Sequence, residues 1–124
     1  MIYKIEFAQL LDKAIAFANN NPRHVIVISI PDWGVTPFAM EGNKDIEEVA
    51  VQIDSYNHTN KVIAEQKKVH YLDITQEYRK IGGMTSSLVS DQLHPSSEVY
   101  KFWAEELKEL LVTGMDFNAS SIYF

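Results

Sequence analysis

Val25-Ile26-Val27-Ile28-Ser29-Ile30 is a short run of apolar, mostly β-branched residues broken only by Ser29. A run without polar alternation reads as a strand covered on both faces, as in a parallel sheet. Val69 to Ile74 is a second strand of the same kind. Between them, Pro31 to Asn43 holds two Pro and two Gly and reads as a loop. Asp45 then opens a helix whose inner face is Ile46, Val49, Ala50, Ile53, Tyr56 or Asn57, and Ile63, running to about Gln66. Upstream, Tyr3, Phe7, Leu10, Leu11, Ala14 and Phe17 recur at helical spacing, and Asn19-Asn20-Asn21-Pro22 ends that helix. Downstream, Lys80 to Gln92 is a long loop with Gly82-Gly83 and three Ser. A third helix starts after Pro95, with Val99, Phe102, Trp103, Leu107, Leu110 and Leu111 at i, i+3, i+4 spacing and Gly114 at its end. Glu98 sits in its first turn, where the helix dipole favours a carboxylate.

The order is helix, strand, helix, strand, loop, helix. Strands alternating with helices predict an α/β fold with a parallel sheet. Two strands leave both sheet edges open and cannot cover three apolar helix faces. The pattern therefore reads as the end of a larger domain. Residues 1–112 form that portion, and an apolar, aromatic tail follows to Phe124.

Composition narrows the function. The chain has 124 residues, 46% hydrophobic and 23% charged, which suits one globular domain. The net charge of -6 repels phosphate backbones, and no Lys/Arg cluster is interleaved with aromatics, so nucleic acid is not the expected partner. No cysteine is present, which excludes disulfides, thiolate metal sites and a cysteine nucleophile. No apolar run reaches membrane-spanning length. Glu6, Gln9 and Asp12 interrupt the opening residues, so they do not read as a signal peptide. A genuine start there implies the cytoplasm, whereas a signal lost with an N-terminal half would allow secretion.

Ser90-Asp91-Gln92-Leu93-His94-Pro95 places a carboxylate and an imidazole three residues apart at a loop-to-helix junction. A carboxylate on one ring nitrogen fixes the tautomer and leaves the other free to take a proton from a nucleophile. Pro95 restricts the backbone of His94. On the motif alone, a turn Asp and a helix-capping His are the simpler reading. With its surroundings, Asp-x-x-His-Pro before a final amphipathic helix resembles the last block of the SGNH/GDSL ester hydrolases. The first helix, the Val25–Ile30 strand, the Ser29-to-Gly34 stretch, the long second helix and the Val69–Ile74 strand resemble that family's last two strand-helix units. The resemblance spans residues 1–112. It implies a flavodoxin-like three-layer fold with a parallel sheet, present as its C-terminal portion of about two strands and three helices. It also implies acyl-ester hydrolysis by a Ser-His-Asp triad without metal or organic cofactor. His94 is then the general base and Asp91 orients it.

The departure from the family is as plain. Its nucleophile sits in a Gly-Asp-Ser block, and further Gly and Gly-x-Asn-Asp blocks supply oxyanion-hole donors. None of the nine serines here follows Gly-Asp. The expectation is therefore a chain that carries the His/Asp half of the triad and is inactive alone. The alternative is a non-catalytic fragment that self-associates or pairs with a missing half. The partners expected are a lipid, sugar or other small-molecule ester and a second copy or that missing half.

Asp32, Trp33 and Phe38 follow the first strand, on the side where ligands bind in open α/β sheets, and read equally as lining of an acyl or alcohol pocket or as ordinary loop anchors. Trp103, at helical spacing, reads as core. His24, His58 and His70 carry no motif and read as structural. A metal site from His70, Asp73, Asp91 and His94 matches no ligand spacing, so none is expected. Asn57-His58-Thr59 and Asn118-Ala119-Ser120 fit the glycosylation pattern, but the first falls within a helix, and both read as chance.

Overall fold

The structure is a computed structural model and describes residues 2–42, 45–84, 87–91 and 93–113. In chain order it contains α1 (Ile2–Phe17), β1 (Ile26–Ile28), α2 (Pro37–Glu41), α3 (Ile46–Gln66), β2 (His70–Leu72), α4 (Thr75–Ile81) and α5 (Ser97–Thr113). Two 3₁₀ turns, Pro22–His24 and Trp33–Val35, lie between them. β1 and β2 pair in parallel, Ile26 opposite His70 and Ile28 opposite Leu72. The result is an α/β fold with a small parallel sheet flanked by helices.

One apolar core joins α1, α3 and the sheet. Leu11, Ile63, Ala64 and Val69 are its buried centre, with Phe7, Ala8, Ile15, Val25, Val27 and Tyr71 packed around it. The predicted inner face of α1 is only partly covered. Leu10 and Phe17 are exposed, Phe17 at 80%. Asn19 and Asn20 end the helix by taking positive φ (56° and 60°), which Asn tolerates better than most residues, and the Asn20 N–H bonds the Ile15 carbonyl. Along α3, the Asp45 carboxylate caps the first turn by accepting the Glu48 N–H at 3.0 Å.

Both strands are shorter than their apolar runs because side chains replace the ladder at their carboxyl ends. After the Ser29 N–H reaches the Leu72 carbonyl, Asn57 of α3 takes over Ile30. It accepts the Ile30 N–H at 2.8 Å and donates to the Ile30 carbonyl at 3.2 Å. Across the sheet, the Ser29 hydroxyl accepts the Ile74 N–H at 2.8 Å and the Thr75 hydroxyl proton at 2.7 Å. Asn57 also donates to the Thr75 hydroxyl at 3.0 Å. Ser29, Asn57 and Thr75 are all buried, and their mutual bonding offsets the cost of burying polar groups.

Two expected loops contain helix. In the first, the Asp32 carboxylate accepts the Gly34 N–H at 2.8 Å, and Thr36 caps α2 with Pro37 at its first position. This chemistry folds residues 32–41 into a 3₁₀ turn and a short helix. In the second, α4, a helix not expected from the sequence, covers Thr75–Ile81 and runs two residues into the expected Lys80–Gln92 loop. It is anchored by Tyr78, 1% exposed, and by Arg79, which pairs with Asp32 at 2.9 Å and Asp54 at 2.9 Å. No helix among the described residues is long and apolar enough to cross a membrane. The tail from residue 114 onward and the second glycosylation pattern lie outside the described residues.

Candidate active site

The stretch before α5 is a closed loop. Leu88 and Pro95 form an antiparallel bridge, the Val89 N–H bonds the His94 carbonyl at 3.0 Å, and the Ser96 N–H bonds the Ser87 carbonyl at 2.8 Å. Asp91 organises the tip with both carboxylate oxygens. Oδ1 accepts the backbone N–H of Leu93 at 2.9 Å and of His94 at 3.0 Å. Oδ2 pairs with Nδ1 of His94. The three-residue spacing thus lets one carboxylate fold the backbone and hold the ring that follows. The hydrogen bond from the His94 ring, then the backbone N–H of His94 and of Leu93, hold the Asp91 carboxyl down at about 2. Asp91 therefore stays ionised at any physiological pH, although it is exposed. A proton on Nδ1 facing Oδ2 leaves Nε2 as the basic nitrogen.

His94 stands on the wall of a cavity of about 650 Å³. Ile30, Pro31 and Trp33 line it from the segment that follows β1, Phe38 from α2 and Tyr78 from α4. Leu93 and Pro95 flank His94, and Tyr100 and Trp103 close the side formed by α5. Trp103 is braced by two rings: Tyr100 meets it edge-on at 5.3 Å, and Tyr78 lies 5.7 Å away at a tilt. The position, outside the carboxyl ends of parallel strands, is where open α/β sheets bind ligands.

A family model described as GDSL-like Lipase/Acylhydrolase matches residues 3–107. The chain belongs to the GDSL-like lipase/acylhydrolase family. No curated protein and no solved structure matches it.

Within this GDSL-like hydrolase, the residues singled out in the sequence have separate fates. Trp33 and Phe38 line the cavity that His94 lines. Asp32 does not. It is 2% exposed, its Oδ2 accepts from Arg79 at 2.9 Å, and it lies on a different groove with Arg79 and Met84. Trp103, expected in the core, is half-buried on the cavity wall instead. Tyr78 lies in a helix not expected from the sequence, and Tyr100 carried no signal beyond its helix. The spacing of Tyr100 and Trp103, three apart on one face of α5, was the available clue.

His24 and His70 are buried at the far end of the sheet, near Arg23, whose guanidinium lies 3.4 Å from Nδ1 of His70. Burial, then the Arg23 charge, lowers the His70 pKa. Among the described residues, no group of three or more His, Asp or Glu side chains is placed to hold a metal ion.

Proposed function

We propose that this chain supplies the acid-base half of a Ser-His-Asp ester hydrolase, as the C-terminal portion (residues 1–112) of an SGNH-type domain. His94 takes the proton of a serine hydroxyl through Nε2 and returns it to the leaving alcohol. Asp91 fixes the tautomer and stabilises the imidazolium. The observation that carries the reading is the Asp91 carboxylate on Nδ1 of a histidine that lines an apolar cavity. Because no serine here follows Gly-Asp, the nucleophile comes from a segment outside this sequence.

The test compares the chain with His94→Ala, alone and joined to a Gly-Asp-Ser-bearing segment of a family member. Alone, both hydrolyse p-nitrophenyl acetate at the same background rate. In the joined protein, His94→Ala lowers the rate by about four powers of ten. Hydrolysis by the chain alone that depends on His94 would place the nucleophile inside it. A joined enzyme indifferent to His94 would remove the residue from catalysis.

One observation favours a second, non-catalytic reading, self-association. Phe17 and Ile28 are exposed beside a cleft of about 340 Å³ that Ala14, Val25 and Leu107 also line. Sedimentation at low concentration decides it: this reading expects a dimer or larger, and a compact monomer eliminates it.

A further inference from the structure

We infer that the cavity beside His94 receives the hydrocarbon arm of the ester, and that Trp33, Phe38, Tyr100 and Trp103 select for it. This rests on the reading of His94 as the base, but the pocket can be tested separately. Among the described residues, no Lys, Arg, Asp or Glu lines the cavity. Among the lining residues, the side chains that carry a polar atom are His94, Tyr78, Tyr100, Trp33 and Trp103. Trp103 is held by Tyr78 and Tyr100, so one wall is a preset aromatic surface. Trp33 and Phe38, 36% and 48% exposed, face it from the segment after β1.

A sugar arm brings several hydroxyls that must exchange water for protein partners. This wall offers few, and an unpaired hydroxyl in an apolar site is unfavourable. An alkyl or aryl arm needs no such partners. Each methylene it buries tightens binding by about fourfold. The volume lies within the range of small-molecule sites, and the base stands on its wall, so a small ester fits the place better than a protein segment.

The chain contains two tryptophans, and both line this cavity, so its own fluorescence reports occupancy. The experiment titrates the unmodified chain with 2-alkanones of increasing length, uncharged and inert to hydrolysis. Quenching should saturate, with Kd falling about fourfold per methylene until the cavity is full. Phe38→Asp should weaken binding about tenfold or more, and Phe38→Ala by less. Phe38 is half-exposed, so both variants should keep the wild-type unfolding midpoint. Phe17→Asp, at the other apolar cleft, should change nothing.

6-O-acetylglucose should give no saturable quenching. Binding insensitive to chain length would overturn the inference, as would an acetylglucose affinity matching that of 2-heptanone. So would a loss caused by Phe17→Asp and not by Phe38→Asp. Length-dependent binding in a protein whose hydrolysis ignores His94 would leave the pocket standing and remove only the catalytic reading.

Discussion

The segment after β1 and the loop before α5 each carry an aspartate that folds its own backbone. Asp32 accepts the Gly34 N–H at 2.8 Å, and Asp91 accepts the Leu93 N–H at 2.9 Å. Each gives its other oxygen to a nitrogen base, Arg79 for Asp32 and His94 for Asp91. The surroundings separate them. Asp32 is buried and its partner is a permanent cation, so the pair holds α4 against the segment after β1. Asp91 is exposed and its partner is a histidine that lines the cavity, so the pair is placed for proton transfer. The same local turn serves packing in one place and chemistry in the other.

The comparison can be broken experimentally. Asp32→Ala should cost about 2 kcal/mol in urea unfolding, because it removes the buried partner of Arg79, leaves only the exposed Asp54, and opens the turn. Asp32→Asn should cost less, since its amide oxygen can still accept the Gly34 N–H. If Asp32→Ala cost no more than about 0.5 kcal/mol, like an ordinary surface change, the buried role would be gone.

Gly34→Ala comes next, at about 1–2 kcal/mol. Its Cβ would lie 2.9 Å from Asp32 Oδ1 and 3.2 Å from Val49 Cγ1, forcing the carboxylate off its partners. An unchanged unfolding midpoint would show that the carboxylate has room to move.

Asp91→Asn should move the midpoint only slightly, because the pair is exposed. Its effect should appear in the ring. Nitrogen NMR should find the wild-type proton on Nδ1 of His94 and a mixture of tautomers in the variant. A wild-type mixture would end the claim that Asp91 orients the imidazole.

The smallest effect is on acid titration. The Asp91 carboxyl carbon should titrate near 2, below its ordinary value of 3.8, and shift upward in His94→Ala. Since the folded value is the lower one, the pairing contributes above pH 3.8 and is lost as pH falls through about 2. A midpoint unmoved by His94→Ala would show that the backbone N–H groups alone depress it.

What the sequence revealed follows the range of the interactions. Asp91 and His94 are three residues apart, so their pairing was legible. The α1, α3 and α5 periodicities were legible for the same reason, and the Val25 and Val69 runs marked parallel strands. For Asp32 the choice between pocket lining and loop anchor was not legible, because its partner Arg79 is 47 residues away. The strand ends were overextended because Asn57, on another element, takes over the backbone of Ile30. Phe17 and Leu10 repeat correctly for a helix face, but periodicity cannot say what covers that face, and here only Leu11 is fully covered. Residues 32–41 carried readable turn and capping signals in Asp32, Thr36 and Pro37, which the density of Pro and Gly concealed.

The Asn57 clamp has a consequence for producing the protein. Asn57-His58-Thr59 is a complete acceptor for an N-linked glycan, yet in the fold the Asn57 amide is buried with both its atoms engaged. A glycosylating enzyme meets that amide only before the chain folds, and a sugar attached then has no space between α3 and the end of β1. In a eukaryotic secretory host the chain would therefore divide into an unmodified folded fraction and a glycosylated fraction unable to dock α3, whereas a bacterial cytoplasm would yield a single species.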